Sequence, residues 1–291
     1  MKPALRRRLR EYALLMRLDR PIGILLLLWP TLWALWIAAG GWPSSLLLGV
    51  FVLGTVLTRS AGCIINDLLD RDIDPFVQRT RERPLASRRV SPQEALVLFA
   101  VLMLCAFGLV LLLDATTVRL AFVAAALMIS YPLFKRFFPA PQAWLGVAFG
   151  WAVPMAFMAT LGAIPRVAWL LFLVTVVWAC VYDTLYAMAD REDDRRLGIR
   201  STALLFGSMD LLAVGCLQGL MIFGLWLVGQ QAGLGLAWLA GLAAATGLFI
   251  GQLWIARDRK PADCLRAFRL NNWVGMAVFA GIVVDHALRT N

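Results

Sequence analysis

The chain has little charge and almost no histidine. Only 16% of its 291 residues are Asp, Glu, Lys or Arg, against about a quarter in soluble domains. That scarcity excludes an ordinary water-facing globular surface. A single histidine, His286, excludes a histidine-rich metal centre. The five cysteines, Cys63, Cys105, Cys180, Cys216 and Cys264, form no CxxC pair and mostly lie inside apolar runs. They therefore read as small packing residues, not as a zinc site or a disulfide framework. Low-complexity segments are absent, and no polar stretch is long enough for a separate soluble domain.

What is present is apolar length. The chain is 61% hydrophobic with mean hydropathy +0.75. Runs long enough to span a bilayer fall near 21–39, 46–65, 93–113, 117–134, 141–161, 167–189, 209–229, 233–255 and 270–288. The first follows a basic tail with Arg6, Arg7, Arg8 and Arg10, and is longer than a signal-peptide core, so it reads as a retained span. Gly229 to Gly235 supplies the turn in an otherwise continuous apolar stretch. The expectation is one all-α polytopic membrane domain over residues 1–291, with nine helices in one bundle. Gly23, Gly54, Gly62, Gly146 and Gly150 are candidates for close helix packing.

The basic residues are distributed unevenly. With an inside N-terminus and nine spans, 24 of the 28 lysines and arginines fall in inside segments. Only Arg119, Arg166 and Arg289 fall outside, and Arg59 lies within the second span. This split follows the positive-inside rule. It predicts a cytoplasmic N-terminus, a periplasmic C-terminus and a bacterial inner-membrane location. The net charge of +10 then requires no nucleic-acid partner.

Two acidic clusters interrupt this pattern. "CIINDLLDRDIDPFVQRT" carries Asp67, Asp70, Asp72 and Asp74 at the end of the second span. "VYDTLYAMADREDDRRLGIRST" carries Asp183, Asp190, Glu192, Asp193 and Asp194 at the end of the sixth. Both ends fall on the predicted cytoplasmic side. If helical, Asp67, Asp70 and Asp74 lie within about 60° of one another, and Asp183, Asp190 and Asp194 within about 40°. Facing carboxylates repel unless a cation lies between them. An all-oxygen donor set suits Mg²⁺, which completes its shell with water and phosphate oxygens. Arg79, Arg81, Arg83, Lys135, Arg136, Arg195 and Arg200 flank the clusters. A divalent cation with arginine and lysine is the combination that binds a diphosphate.

"NDLLDRDID" resembles the first aspartate box, NDxxDxxxD, of the UbiA-type intramembrane aromatic prenyltransferases. "DREDD" within "YDTLYAMADREDD" resembles their second box, DxxxD. "RLDRPIGILLLLWPTLWALW", "RTRERPLAS", "YPLFKR" and "GIRSTALLFG" also match, and are most similar to the branch acting on 4-hydroxybenzoate. The matched stretches run from residue 17 to about residue 207.

The resemblance implies Mg²⁺-dependent transfer of a polyprenyl chain from an allylic polyprenyl diphosphate to 4-hydroxybenzoate, ortho to its hydroxyl, in ubiquinone synthesis. It implies that Asn66, Asp67, Asp70 and Asp74, with Asp190 and Asp194, hold metal and diphosphate. Asp183 joins them because it shares the second stripe. Lys135, Arg136 and Arg79 are candidate diphosphate contacts, with Tyr131 shaping that pocket. Arg59 is the candidate partner for the acceptor carboxylate, because an arginine within a span is costly without a partner. Arg20 is the second candidate. Asp190 is the candidate base for the ring proton, and Asp70 and Asp74 complete the catalytic set. Two alternatives stand beside this reading. One is a branch with another acceptor, making menaquinone, haem O or a chlorophyll-type product. The other is a divalent-cation transporter.

Overall fold

The computed structural model describes residues 3–77, 79–134 and 137–289. Among them all regular elements are helical. A basic helix, α1 (Pro3–Leu15), precedes α2 (Ile22–Ala39), α3 (Ser45–Leu69), α4 (Pro92–Val110) and α5 (Ala115–Phe134). Then follow α6 (Pro141–Gly150), α7 (Ala152–Leu161), α8 (Arg166–Leu197) and the short α9 (Thr202–Phe206). The chain closes with α10 (Asp210–Ala232), α11 (Leu236–Ala256) and α12 (Pro261–Arg289). Among the described residues nine segments are long and apolar enough to cross a membrane, with α6–α7 and α9–α10 each forming one. The expected number and order hold.

Each departure from the predicted boundaries has a local cause. α6 and α7 break at Trp151 because Pro154 offers no N–H to the carbonyl of Gly150. α8 runs to Leu197, well past residue 189, because "ADREDDRRL" keeps helical propensity. Its last turn carries Arg195 and Arg196, which complement the negative end of the helix dipole. α12 starts at Pro261, nine residues earlier than the hydropathy suggested. Arg266 and Arg269 interrupt the apolar run while Cys264, Ala267 and Asn271 stay buried on the inner face. α3 stops at Leu69, ahead of Pro75, which lacks an N–H for the carbonyl of Arg71 and would clash with it if the α-helix ran on.

The centre of the bundle is built from α2, α8 and α12. Trp33 and Trp178 stack with ring centroids 5.0 Å apart. Three indole N–H groups there have acceptors across the helices. Trp33 Nε1 donates to Gly275 O at 3.1 Å, Trp178 Nε1 to Asn271 Oδ1 at 3.0 Å and Trp29 Nε1 to Asn272 Oδ1 at 3.0 Å. An unpaired buried donor would cost about 1–3 kcal/mol, so these bonds fix the register of α2 and α8 on α12. α6 lies close against α8. A Cβ at Gly146 would fall 2.8 Å from Val176 O, so that glycine lets the two backbones approach, as expected for a small residue in a membrane bundle.

A second, smaller core joins α1, α3, α4 and the connection between α3 and α4. It contains Leu15, Ala61, Ile64, Leu85, Val90, Ala95 and Leu102. Ser91 caps α4 reciprocally with Glu94: Ser91 Oγ accepts from Glu94 N at 3.2 Å, and Glu94 Oε2 accepts from Ser91 N at 2.9 Å. This capping box and the small core anchor the far end of the connection that carries Arg79 and Arg83.

Candidate active site

The C-terminal ends of α3 and α8 open onto one cavity of about 1820 Å³. Asn66, Asp67, Asp70, Asp74, Asp183, Asp190 and Asp194 all line it. Its lining also includes an apolar stretch, with Leu104, Phe107, Phe122, Met128 and Phe149 among its residues. The two boxes, more than a hundred residues apart in sequence, therefore face the same space.

The first box is a helix end followed by tight turns. Asp70 N bonds to Asn66 O at 2.9 Å, and Asp74 N bonds to Asp70 O at 2.8 Å. The predicted stripe thus survives as a coiled backbone, although α3 itself has ended. The Asp67 side chain is only 1% exposed. Arg17 Nη2 donates to both of its oxygens at 2.8 Å, and Arg83 Nη1 donates to Oδ1 at 3.0 Å. Arg83 Nη1 also reaches Asp74 Oδ2 at 2.9 Å. Two arginines so neutralise two buried carboxylates, which would be costly alone. Burial pushes the Asp74 carboxyl above its ordinary range, and Arg83 opposes that push only partly. Burial also works against the Arg83 charge, but Asp67 and Asp74 outweigh it and hold the guanidinium above its usual value. Asn66 Nδ2 donates to Asp70 Oδ2 at 3.1 Å.

The second box lies on unbroken helix, so the helical condition on Asp183, Asp190 and Asp194 is met. Arg79 forks onto Asp190, with Nε to Oδ1 at 3.0 Å and Nη2 to Oδ2 at 2.5 Å. Its guanidinium also lies 4.7 Å from the centre of the Tyr186 ring. Burial opposes the Arg79 charge, and Tyr186 and Asp190 more than offset it. Arg79 follows the first box in sequence and grips the second in space. It is the direct link between them.

The predicted acceptor cation sits deeper. Arg59 Nη1 donates to Cys63 Sγ at 2.9 Å, and its guanidinium lies 5.7 Å from the centre of the Phe149 ring. Its Nε is buried without a hydrogen-bond partner. Arg20 is different. Its side chain is 72% exposed, pairs with Asp19 at 3.4 Å and stands at the rim of the cavity. Tyr131 lines the cavity. Lys135 and Arg136 lie outside the described residues.

The donor chemistry suits a hard cation. Asn66, Asp70, Asp74, Asp183, Asp190 and Asp194 present only oxygens as ligands, which is what Mg²⁺ selects. Among the described residues no three acidic, cysteine or histidine side chains converge as a ready-made metal cluster.

Three features escaped the reading of the sequence. Arg17, with φ +58°, reaches Asp67 from 50 residues away, and nothing in its neighbourhood signals that. Tyr186 sits one helical turn before Asp190, and that spacing was a usable signal. Asp210 is fully buried within an apolar run, which marks it for a partner. It accepts from Arg259 Nε at 2.9 Å, from its neighbour Leu211 N at 2.6 Å and from Arg191. Arg191 follows Asp190 directly, so this triad pins the end of α8 to α10 and to the connection before α12.

Comparison with known proteins identifies the family. The profile of the UbiA prenyltransferase family matches residues 27–275. A 4-hydroxybenzoate octaprenyltransferase from Alkalilimnicola ehrlichii is 55% identical over 281 residues, covering 97% of this chain and 96% of that one. The enzyme of the same name from Coxiella burnetii is 54% identical over 282 residues, covering 97% and 98%. A solved UbiA homologue from Aeropyrum pernix K1 superposes with TM-score 0.80 at 26% identity, covering 90% and 97%. One from Archaeoglobus fulgidus, bound to GPP and Mg²⁺, shares the fold with TM-score 0.70 at 17% identity, covering 94% and 99%. A profile match over most of the chain, relatives identical at more than half of their positions and a common fold converge on one statement: this chain belongs to the UbiA prenyltransferase family.

Proposed function

We propose that the chain, as one catalytic domain over residues 1–291, transfers a polyprenyl group from a polyprenyl diphosphate to 4-hydroxybenzoate, on the carbon ortho to the hydroxyl, with Mg²⁺. The observation that carries the reading is the single cavity lined by both aspartate boxes and by Arg59. The near-full-length relatives are named for this acceptor and for an octaprenyl donor, which supports the same choice.

In this reading Asn66, Asp70, Asp74, Asp183, Asp190 and Asp194 hold the metal and, through it, the diphosphate. Bound Mg²⁺ supplies neutralisation of the charge that develops on the leaving diphosphate. Arg79 stands at the junction of the boxes, where its guanidinium adds to that neutralisation. Lys135 and Arg136 keep their proposed diphosphate role on sequence grounds. Asp67 is bound on both sides by arginine, so we assign it to holding the box in shape. The allylic C–O bond breaks as diphosphate leaves. The apolar walls at Leu104, Phe107 and Phe122 keep water from the allylic carbon. The acceptor ring attacks through the carbon ortho to its hydroxyl, and the proton displaced there passes to a cavity carboxylate, for which Asp190 is our candidate. Arg59 holds the acceptor carboxylate and so orients the ring.

The charge distribution supports an inner-membrane orientation with the N-terminus and both boxes cytoplasmic. The test is prenylation by the purified protein in detergent, with and without Mg²⁺, offered a panel of aromatic acceptors. The reading requires Mg²⁺-dependent product with 4-hydroxybenzoate. Turnover of a different acceptor alone would place the chain in another branch of the family.

A further inference from the structure

Gly23 was expected to serve helix packing, but the structure gives it another neighbour. An ideal Cβ at Gly23 would fall 2.6 Å from Arg59 Nη2, 2.7 Å from Nε and 3.0 Å from Cζ. No helix backbone comes as near. Gly23 opens α2, just after Pro21, while Arg59 lies in the middle of α3. The missing side chain is therefore the space that the guanidinium occupies. Three groups then define the pose of Arg59. Gly23 gives it room on one side, Phe149 offers a ring face, and Cys63 Sγ accepts from Nη1 at 2.9 Å. A thiol is a weak acceptor. Nε is buried with no partner, and Arg59 forms no ion pair among the described residues. A half-buried guanidinium, its Nε fully buried and no carboxylate at hand, is poised to receive one.

We propose that Gly23 is a positioning residue that sets acceptor specificity: it fixes Arg59 in the conformation that binds the carboxylate of the aromatic acceptor. The proposal rests on the reading of Arg59 as the acceptor's cation. Physical reasoning predicts how Gly23→Ala responds. The atoms in the way belong to the far end of a flexible side chain, whereas α2 is tied to α12 through Trp29 and Trp33. The helix stays and the guanidinium swings away. The fork geometry that arginine offers a carboxylate is lost without loss of charge from the cavity.

The experiment compares wild type, Gly23→Ala, Arg59→Ala and the double variant, each with Mg²⁺ and prenyl diphosphate. Two acceptors are used, 4-hydroxybenzoate and its uncharged analogue 4-hydroxybenzamide. Gly23→Ala should raise KM for 4-hydroxybenzoate about tenfold or more, the range for losing a charge-assisted hydrogen bond. It should leave KM for prenyl diphosphate unchanged and kcat within about threefold, and should barely alter the use of the amide. Adding Gly23→Ala to Arg59→Ala should have no further effect, because its target is gone. Should Gly23→Ala lower the yield of folded protein, the double variant must recover it. Failure to recover would locate the clash elsewhere and overturn the proposal. Equal losses for both acceptors, or an unchanged KM for 4-hydroxybenzoate while Arg59→Ala raises it, would overturn it too. If Arg59→Ala itself leaves that KM unchanged, the acceptor reading of Arg59 fails, and the role of Gly23 fails with it.

Discussion

The two aspartate boxes face one cavity but are built differently. The first lies where α3 has ended, on turns forced by Pro75. Two of its carboxylates are sunk: the Asp67 side chain is 1% exposed and that of Asp74 is 7% exposed. Arg17 and Arg83 neutralise them from outside α3. The second box rides on continuous helix. Asp190 is more open, at 17%, and takes one arginine, Arg79. Its rigidity comes from behind, where Asp210 clamps Arg191. A box on irregular backbone needs ion pairs at its own carboxylates to hold its shape. A box on a helix keeps its carboxylates in phase through the backbone and can be braced from a neighbouring residue.

That contrast can be broken or sharpened by substitution. The largest effects belong to the carboxylates assigned to metal and diphosphate in both boxes. Asp70→Ala and Asp190→Ala should each cut kcat at least about 100-fold, with normal membrane insertion by fractionation. Loss in one and near-wild-type turnover in the other would mean that the boxes do not share one site.

Next come the braces. Asp67→Asn leaves Arg17 and Arg83 short of a carboxylate, and Asp210→Asn does the same to Arg191 and Arg259. Each should cost about 3–5 kcal/mol, seen as a lowered Tm of the detergent-solubilised protein. Tm values at wild-type level would show that shape comes from elsewhere. Arg79→Met removes the direct link. It should lower kcat/KM for the prenyl diphosphate about 10- to 100-fold with a smaller stability change, since Asp190 retains water. A loss confined to the acceptor KM would remove Arg79 from the diphosphate.

The smallest effect is expected at Asp72. It belongs to the acidic run by sequence, but its side chain is 86% exposed and, among the described residues, pairs with its neighbour Arg71 alone. Asp72→Ala should stay within about twofold of wild type in steady-state rate, as exposed pairs contribute little. A large loss there would enlarge the first box.

Much of this was legible in the chain. Nine apolar runs were visible because the bilayer sets their length. The shared side of the boxes followed from counting lysines and arginines. The in-phase spacing of Asp183, Asp190 and Asp194 carried over directly, since α8 is regular there. The spacing of Asp67, Asp70 and Asp74 carried over less directly, because Pro75 ends the regular helix. Arg59 stood out as a cation within a span. Gly23 reads in sequence as a helix-packing residue, because a glycine in sequence does not say which atom will occupy the space beside it.

The sequence by itself determined how many segments are long and apolar enough to cross a bilayer, which ends carry the acids and which family the boxes resemble. These are properties of composition and period, and they hold along a line. Only the tertiary structure decided which acids meet which arginines. Asp67 meets Arg17 across 50 residues, Asp190 meets Arg79 across 111, and the carboxylate of Asp210 bridges Arg191 and Arg259. Such partners are chosen by where helix ends and connections come to rest. A charge buried in a bundle must find its opposite in space, whatever the distance in sequence.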